Sequence, residues 1–378
     1  MLESLRKVRG IDQIAVIVRT TDPSLEVRAD ERVRELLRDF EDLDIFVMGP
    51  AERGSLERRL EQLEMNFLIP AITQESYGAT RNLGLIVAAV AGCDHAIMLD
   101  DNEVIESANF LETALYGLGQ KFESGVSCLA KTGYYIDELG RWQREESSDF
   151  TDLFWKPATA FNQAMAAQLK PPRLQPASLA FGGAMALHHD IFMRVAFDPW
   201  IGRGEDTDYL INARMHGHDV YFDDEWSVTK YTGSAGDALT RFKQDAFRFV
   251  YEHRKLEFAK SQVDLRQVSI NSISPYPGAF IDSRVGWRAF MTGLLKLVKS
   301  DDRPGYFAAG RSALTKASDY ARDNCASYFA FQRAWATMME RIWEDVALGP
   351  LFFGGRAPDR TALTGQFKSI TGSFKVID

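Results

Sequence analysis

The opening hundred residues alternate short apolar runs with amphipathic segments, and this alternation restricts the fold more than any other feature. Residues 13–18 are mostly β-branched and apolar on both faces, as in a buried strand. A charged helical pattern covers residues 29–40, and residues 44–48 read as a second strand closed by Gly49 and Pro50. A helix over 56–63, a third strand over 66–72, a helix over 80–91 and a strand over 95–99 follow. Strands separated by helices predict right-handed crossovers and an α/β fold with a mostly parallel central sheet flanked by helices. Ligands in such sheets bind beyond the carboxyl ends of the strands.

Two acidic stretches fall where that rule points. Leu99-Asp100-Asp101-Asn102 ends the strand over 95–99, and Gly204-Glu205-Asp206-Thr207-Asp208 follows a loop with two glycines and opens a helix over 205–216. One carboxylate cluster suits a divalent cation bridging a diphosphate, and a second on a separate loop suits a general base facing it. Each acid also has a structural reading: Asp100 and Asp101 as helix caps, Glu205 and Asp206 as first-turn acids favoured by the helix dipole.

Between and beyond these stretches the pattern is less regular. A helix is expected over 107–122 and a strand over 126–130. Residues 142–178, with Trp155, Pro157, Pro171 and Pro172, lose periodicity and read as a long irregular insert, a lid or acceptor-binding element. Residues 180–187 return to a strand-like run containing Gly182-Gly183, residues 219–222 form another strand, and Asp223-Asp224-Glu225 reads as an exposed turn. Beyond residue 234, helical patterns cover 239–260, 284–299, 306–322 and 327–346. The expected organisation is a sheet-bearing unit over 1–233, in halves of about 1–130 and 131–233, and a mainly helical C-terminal region over 234–378.

Composition excludes several classes of function. The 378 residues carry a formal charge of -9 with no evident basic patch, which argues against nucleic acid as a partner. Cys93, Cys128 and Cys325 are scattered and lack metal-ligand spacing, which points to a reducing compartment. The longest apolar run, residues 83–92, is too short to span a bilayer, and the first residues have no apolar signal core. A cytoplasmic protein without a transmembrane segment is expected. His188-His189 and the pair His216 and His218 read as surface rather than as a metal site. Apolar helix faces after Arg284 make a homodimer an expectation.

In this order the pieces resemble a GT-A-type (Rossmann-like) nucleotide-sugar glycosyltransferase, closest to the inverting family 2. The run from Val16 to Asp22 looks like that family's opening strand and nucleotide loop, and Gly78-Ala79-Thr80-Arg81-Asn82 like its Arg-Asn helix start beside the donor. Asp100-Asp101-Asn102 stands where the DxD motif would be, with Asn102 in place of its last acid. Phe181-Gly182-Gly183-Ala184 followed by Asp190-Ile191-Phe192 is similar to the strand and helix after the acceptor loop, and Gly204-Glu205-Asp206-Thr207-Asp208 to the catalytic acidic motif. The resemblance covers about residues 13–225.

It implies transfer of a sugar, hexosyltransferase-like, from a UDP- or GDP-sugar to a carbohydrate or other hydroxyl acceptor with inversion. Asp206 would be the general base. Thr20, Asp22, Arg81, Asp100, Asp101 and Asn102 would bind the donor, and the last three a Mg2+ or Mn2+ ion. Gly183, Trp200 and Glu205 would bind the acceptor, with Trp200 or Trp155 stacking on a sugar face. Where the family often has a metal-binding His, this chain has Lys230, which could place positive charge at the leaving diphosphate. Tyr134 and Tyr135 could line the cleft or simply pack. Two other readings stay open: a non-catalytic carbohydrate- or nucleotide-binding or scaffold protein on a degenerate transferase fold, and a nucleotidyltransferase. The latter would carry a glycine-rich loop after the first strand, and Arg19 to Pro23 has no glycine.

Overall fold

A computed structural model describes residues 1–20, 22–231 and 237–354. Thr21 of the opening motif and the boundary at 233/234 lie outside the described residues.

Strand β1 (Ile14–Ile17) and strand β2 (Ile45–Met48) pair in parallel, with Ile14 opposite Ile45, and the helix Glu26–Leu37 connects them. A larger sheet contains β3 (His95–Met98), β4 (Glu103–Val104), β5 (Ala130–Ile136), β6 (Leu174–Pro176), β7 (Met185–His188) and β8 (Val220–Lys230). Its order is β3-β7-β5-β8-β4, with β6 also on β8. Helices flank the sheets, as the alternation of patterns predicts.

Strand direction departs from the expected mostly parallel sheet. Within the larger sheet only β5 and β8 run parallel; β3–β7, β5–β7, β4–β8 and β6–β8 are antiparallel. Periodicity distinguishes a strand from a helix but carries no direction, which depends on how each connection returns. β1 and β2 are joined by a crossover helix, whereas the antiparallel pair β5 and β7 is joined by the insert that carries helix Pro157–Gln168 and β6.

Other local expectations also change. Residues 66–72 form a 3-10 turn (Asn66–Leu68) and a one-turn helix (Ile69–Ile72) instead of a strand. Pro70 lacks the N–H a central strand needs but is tolerated in a first helical turn. The helix expected over 107–122 is cut to Phe110–Leu115, with Gly117 and Gly119 at positive φ just beyond it. The insert is ordered, with helix Pro157–Gln168 and strand β6, and its Trp155 is buried among Phe242, Phe249 and Phe280, where no sugar could stack. Asp223 is no exposed turn residue: it lies within β8, fully buried, 2.7 Å from the equally buried Lys131.

The two helices expected over 306–322 and 327–346 are Arg303–Leu314 and Lys316–Glu344, so the break lies at Thr315 and not after residue 322. Lys316–Glu344 and helix Ala238–Ala259 lie in the same hydrophobic core as the sheets. Trp335 Nε1 donates to the Phe192 carbonyl at 2.9 Å, and Phe352 stacks on Phe46 of β2. Among the described residues no helix is long and apolar enough to cross a membrane.

Candidate functional site

The site begins at the end of β3, where four elements converge on Asp100. Helix Tyr77–Ala91 is started by Ser76, whose side chain accepts from the Ala79 N–H, and stopped by Gly92 at φ 73°. Its first turns deliver Arg81, whose Nη2 donates to Asp100 Oδ1 at 2.5 Å. The β4–β8 register sets Glu103 opposite Lys230, and Lys230 Nζ lies 2.7 Å from Asp100 Oδ2 and 3.1 Å from Glu103 Oε1. The buried Glu103 also accepts from the Asp100 N–H at 2.7 Å. Tyr135, on β5, places its hydroxyl 3.5 Å from Asp100 Oδ2.

The second acidic stretch meets this cluster through Gly182 and Gly183. Gly183 N–H donates to the Tyr135 hydroxyl at 2.6 Å, and Gly182 N–H to Asp206 Oδ2 at 3.2 Å. A Cβ at Gly183 would overlap the Glu103 carboxylate, and one at Gly182 would press on the Arg81 guanidinium, so only glycine allows both close approaches. Gly204, at φ 77°, starts helix Glu205–Met215, with Glu205, Asp206 and Asp208 in its first turn. Asp206 Oδ1 also accepts from the Thr207 N–H at 2.6 Å.

Charge is unevenly compensated here. Burial opposes ionisation of Asp100, but Arg81 and Lys230 outweigh it and hold the carboxyl down at about 2. Glu103 is pushed up to about 7 by burial and by Asp100. Burial and the neighbouring Asp206 likewise raise Glu205 to about 7. Arg81 Nε lies 3.7 Å from Glu205 Oε1, beyond hydrogen-bond range, and is a buried donor without a partner. An unsatisfied buried donor is costly, so a ligand oxygen reaching it would gain that free energy back.

Arg81, Asp100, Gly183, Glu205 and Asp206 are thus assembled in one place. Thr20 and Asp22 lie at the end of β1. Thr20 lines a cavity of about 210 Å³ with Arg19, Arg53 and Glu26, while the Asp22 carboxylate accepts from the Ser24 N–H and hydroxyl. Trp200 is half-buried with its ring against Phe331, and its backbone N–H donates to Asp198. Asp101 is exposed, and Asn102 donates its amide to the Tyr231 carbonyl at 3.0 Å. Among the described residues no group of three or more His, Cys, Asp or Glu side chains is gathered to hold a metal. Both Asp100 oxygens already face cations. Asp100 is thus committed to Arg81 and Lys230, and Asp101 and Asn102 are the exposed oxygen-bearing side chains left in the motif.

Glu103 was not signalled by the sequence pattern: its contact depends on the register of β4 against β8, although its place three residues after Asp100 in an acidic turn was a hint. Tyr135 and Lys230 stand out as candidates in the sequence, and both face Asp100.

The assembly is an α/β scaffold with a cationic and acidic cluster at the mouth of its sheets. No family model and no curated protein matches the chain. Among solved structures it is similar to the mannosyltransferase PcManGT from Pyrobaculum calidifontis, in complex with GDP-Man and Mn2+, over 90% of this chain and 79% of that one, with 14% identity and a TM-score of 0.46. It is also similar to GalNAc-T7 with UDP, GalNAc and Mn2+, over 80% of this chain and 54% of that one, with 13% identity and a TM-score of 0.35.

Proposed function

We propose that the protein transfers a sugar from a nucleotide-diphosphate sugar to an acceptor hydroxyl. The observation that carries this reading is the pair of cations, Arg81 and Lys230, on either side of Asp100 at a strand end, with Glu205 Oε1 3.7 Å from Arg81 Nε and Asp206 on the Gly182 N–H. A nucleoside diphosphate leaves with negative charge growing on its oxygens, and fixed cations stabilise that growth without reorganising. Arg81 can turn its unpartnered Nε to a phosphate oxygen.

In the reaction, Asp206 accepts the proton of the acceptor hydroxyl while that oxygen bonds to the anomeric carbon. The carbon–oxygen bond to the diphosphate breaks on the opposite face, so the anomeric centre inverts. Glu205 and Gly183 border the acceptor side, and Thr20 with Asp22 border the nucleoside. A divalent cation, Mg2+ or Mn2+, held by Asp101 and the Asn102 amide oxygen, would supply further charge neutralisation on the diphosphate. Residues 1–233 would form the catalytic unit, with the helical region 234–378 completing it.

Calorimetric titration with UDP, GDP and their sugar conjugates, with and without Mn2+, tests the reading on the wild-type chain and on Asp101→Ala and Asp206→Ala. Nucleotide binding that weakens in Asp101→Ala and persists in Asp206→Ala is the expected result. Absence of binding to every nucleotide refutes it and leaves the acids as helix starts on a scaffold.

A further inference from the structure

The loop that carries the second acidic stretch is held from behind by a buried charge of the C-terminal region. Lys255, on helix Ala238–Ala259, is fully buried. Its Nζ lies 2.8 and 2.7 Å from the two Asp208 oxygens, 2.7 Å from Asp198 Oδ2 and 3.7 Å from the Tyr328 ring centroid. Both carboxylates are equally buried, and every oxygen has a donor. Asp198 Oδ1 accepts from the Trp200 N–H at 2.8 Å, Asp198 Oδ2 from the Tyr251 hydroxyl at 2.9 Å, and Asp208 Oδ2 from the Asn212 amide at 2.8 Å.

The same loop is gripped on its other side by the helix that carries Arg81. Ser76 Oγ donates to the Pro199 carbonyl at 2.7 Å, and the Asn82 side chain bonds both the N–H and the carbonyl of Phe197 at 2.9 Å. A Cβ at Gly78 would overlap the Asp198 carbonyl. Tyr320 of the last long helix donates to the Trp200 carbonyl at 2.7 Å. Residues 197–204 are therefore clamped between the Arg81 helix and two C-terminal helices, and Asp206 leaves that clamp two residues later.

A buried ion triad is poor evidence for stability, because apolar residues of equal volume often serve as well; its best-attested use is to fix one register. We propose that Lys255 is a positioning residue, which through Asp198 and Asp208 fixes the Asp206 carboxylate relative to Arg81. Its kinetic consequence rests on the glycosyl-transfer reading, whereas its structural consequence does not. A misplacement of about 1 Å at a reacting group costs on the order of 100-fold in rate.

The test uses the full chain with Lys255→Met, Lys255→Met combined with Asp208→Asn, and Tyr251→Phe. Hydrogen exchange is expected to accelerate over residues 197–207 in Lys255→Met and stay unchanged over residues 95–104. Transfer kcat is expected to fall about 100-fold with donor KM within about twofold. Removing one of the two stranded carboxylates in the double variant should recover about tenfold of that loss. Tyr251→Phe deletes one hydroxyl and keeps every charge, so it provides the readout if Lys255→Met does not fold; a several-fold fall in kcat at constant donor KM is expected. Unchanged exchange over 197–207, exchange that rises equally along the whole chain, or a Tyr251→Phe enzyme identical to wild type overturns the proposal. A wild-type chain inert to every nucleotide sugar refutes the transfer reading instead, and the exchange experiment still decides the role of Lys255.

Discussion

Asp100 and Asp208 come from two acidic stretches that look alike in sequence, yet the fold treats them in opposite ways. The Asp100 side chain is 25% exposed and faces two cations, Arg81 and Lys230. Asp208 is fully buried and shares a single ammonium with Asp198. Under the glycosyl-transfer reading, an incoming anion would compete with Asp100 for Arg81 and Lys230. The second spends its charge internally, and only Asp206 and Glu205 are turned toward the first. The Asp100 cluster keeps partial exposure, whereas the Asp208 cluster is sealed.

If that division is right, the largest effect belongs to Asp206→Asn. Loss of the base is expected to lower transfer about 10³-fold with nucleotide affinity retained, measured by product formation beside calorimetry. An active Asp206→Asn enzyme would move the base elsewhere, with Glu205 the next candidate. Lys230→Met comes second: it leaves Asp100 and Glu103 facing each other and is expected to weaken nucleotide binding about 10–100-fold. Equal affinity in that variant would mean that Lys230 serves only its carboxylate partners.

A smaller effect is expected from Gly183→Ala, whose added methyl must displace the Glu103 carboxylate. Overpacking of this kind costs about 1–3 kcal/mol, to be read as a lower denaturation midpoint; an unchanged midpoint would show that Glu103 can move aside. The smallest concerns pH. Glu205 is raised from 4.5 to about 7 in the folded chain, first by burial and then by Asp206, so the folded state holds its proton after the unfolded state has released it. Its contribution to stability is therefore full below pH 4.5, declines as pH rises toward 7 and is flat above. Glu103 and Glu252 are raised to about 7 in the same way, so Glu205→Gln should reduce the slope of stability across pH 4–8 by one group's share, and an undiminished slope in the variant would assign it to the other groups.

How much of this was legible in the sequence depended on whether the signal was local. β1, β2, β3 and the helix behind Arg81 have clean periodicity and caps within a few residues, and all four appear as expected. Over residues 66–72 the six apolar positions after Asn66 fit a strand or a buried turn equally, and Pro70 is the residue that decides between them. β8 was read as ending at residue 222 because Asp223, Asp224 and Glu225 look like a turn; their place in the strand depends on Lys131 and Arg173, far away in sequence. In the site, Arg81, Asp100 and Asp206 carry motif signals, whereas Glu103 depends on strand register. Lys255 reads as one more polar position on an amphipathic helix, and its partner is 47 residues upstream.

The clamp on residues 197–204 also has a consequence for the order in which the chain can mature. Chains emerge from the ribosome amino end first, at about 5–20 residues per second. Phe197 to Gly204 come out well before Lys255 and Tyr320, which hold them, and before Gln332, whose amide accepts from the neighbouring Ala196 N–H and donates to the Arg194 carbonyl. The acidic loop thus waits for its last fasteners until the final long helix has been made, so a nascent chain that already carries Arg81, Asp100 and Asp206 still lacks the contacts that hold the loop before Asp206 in place.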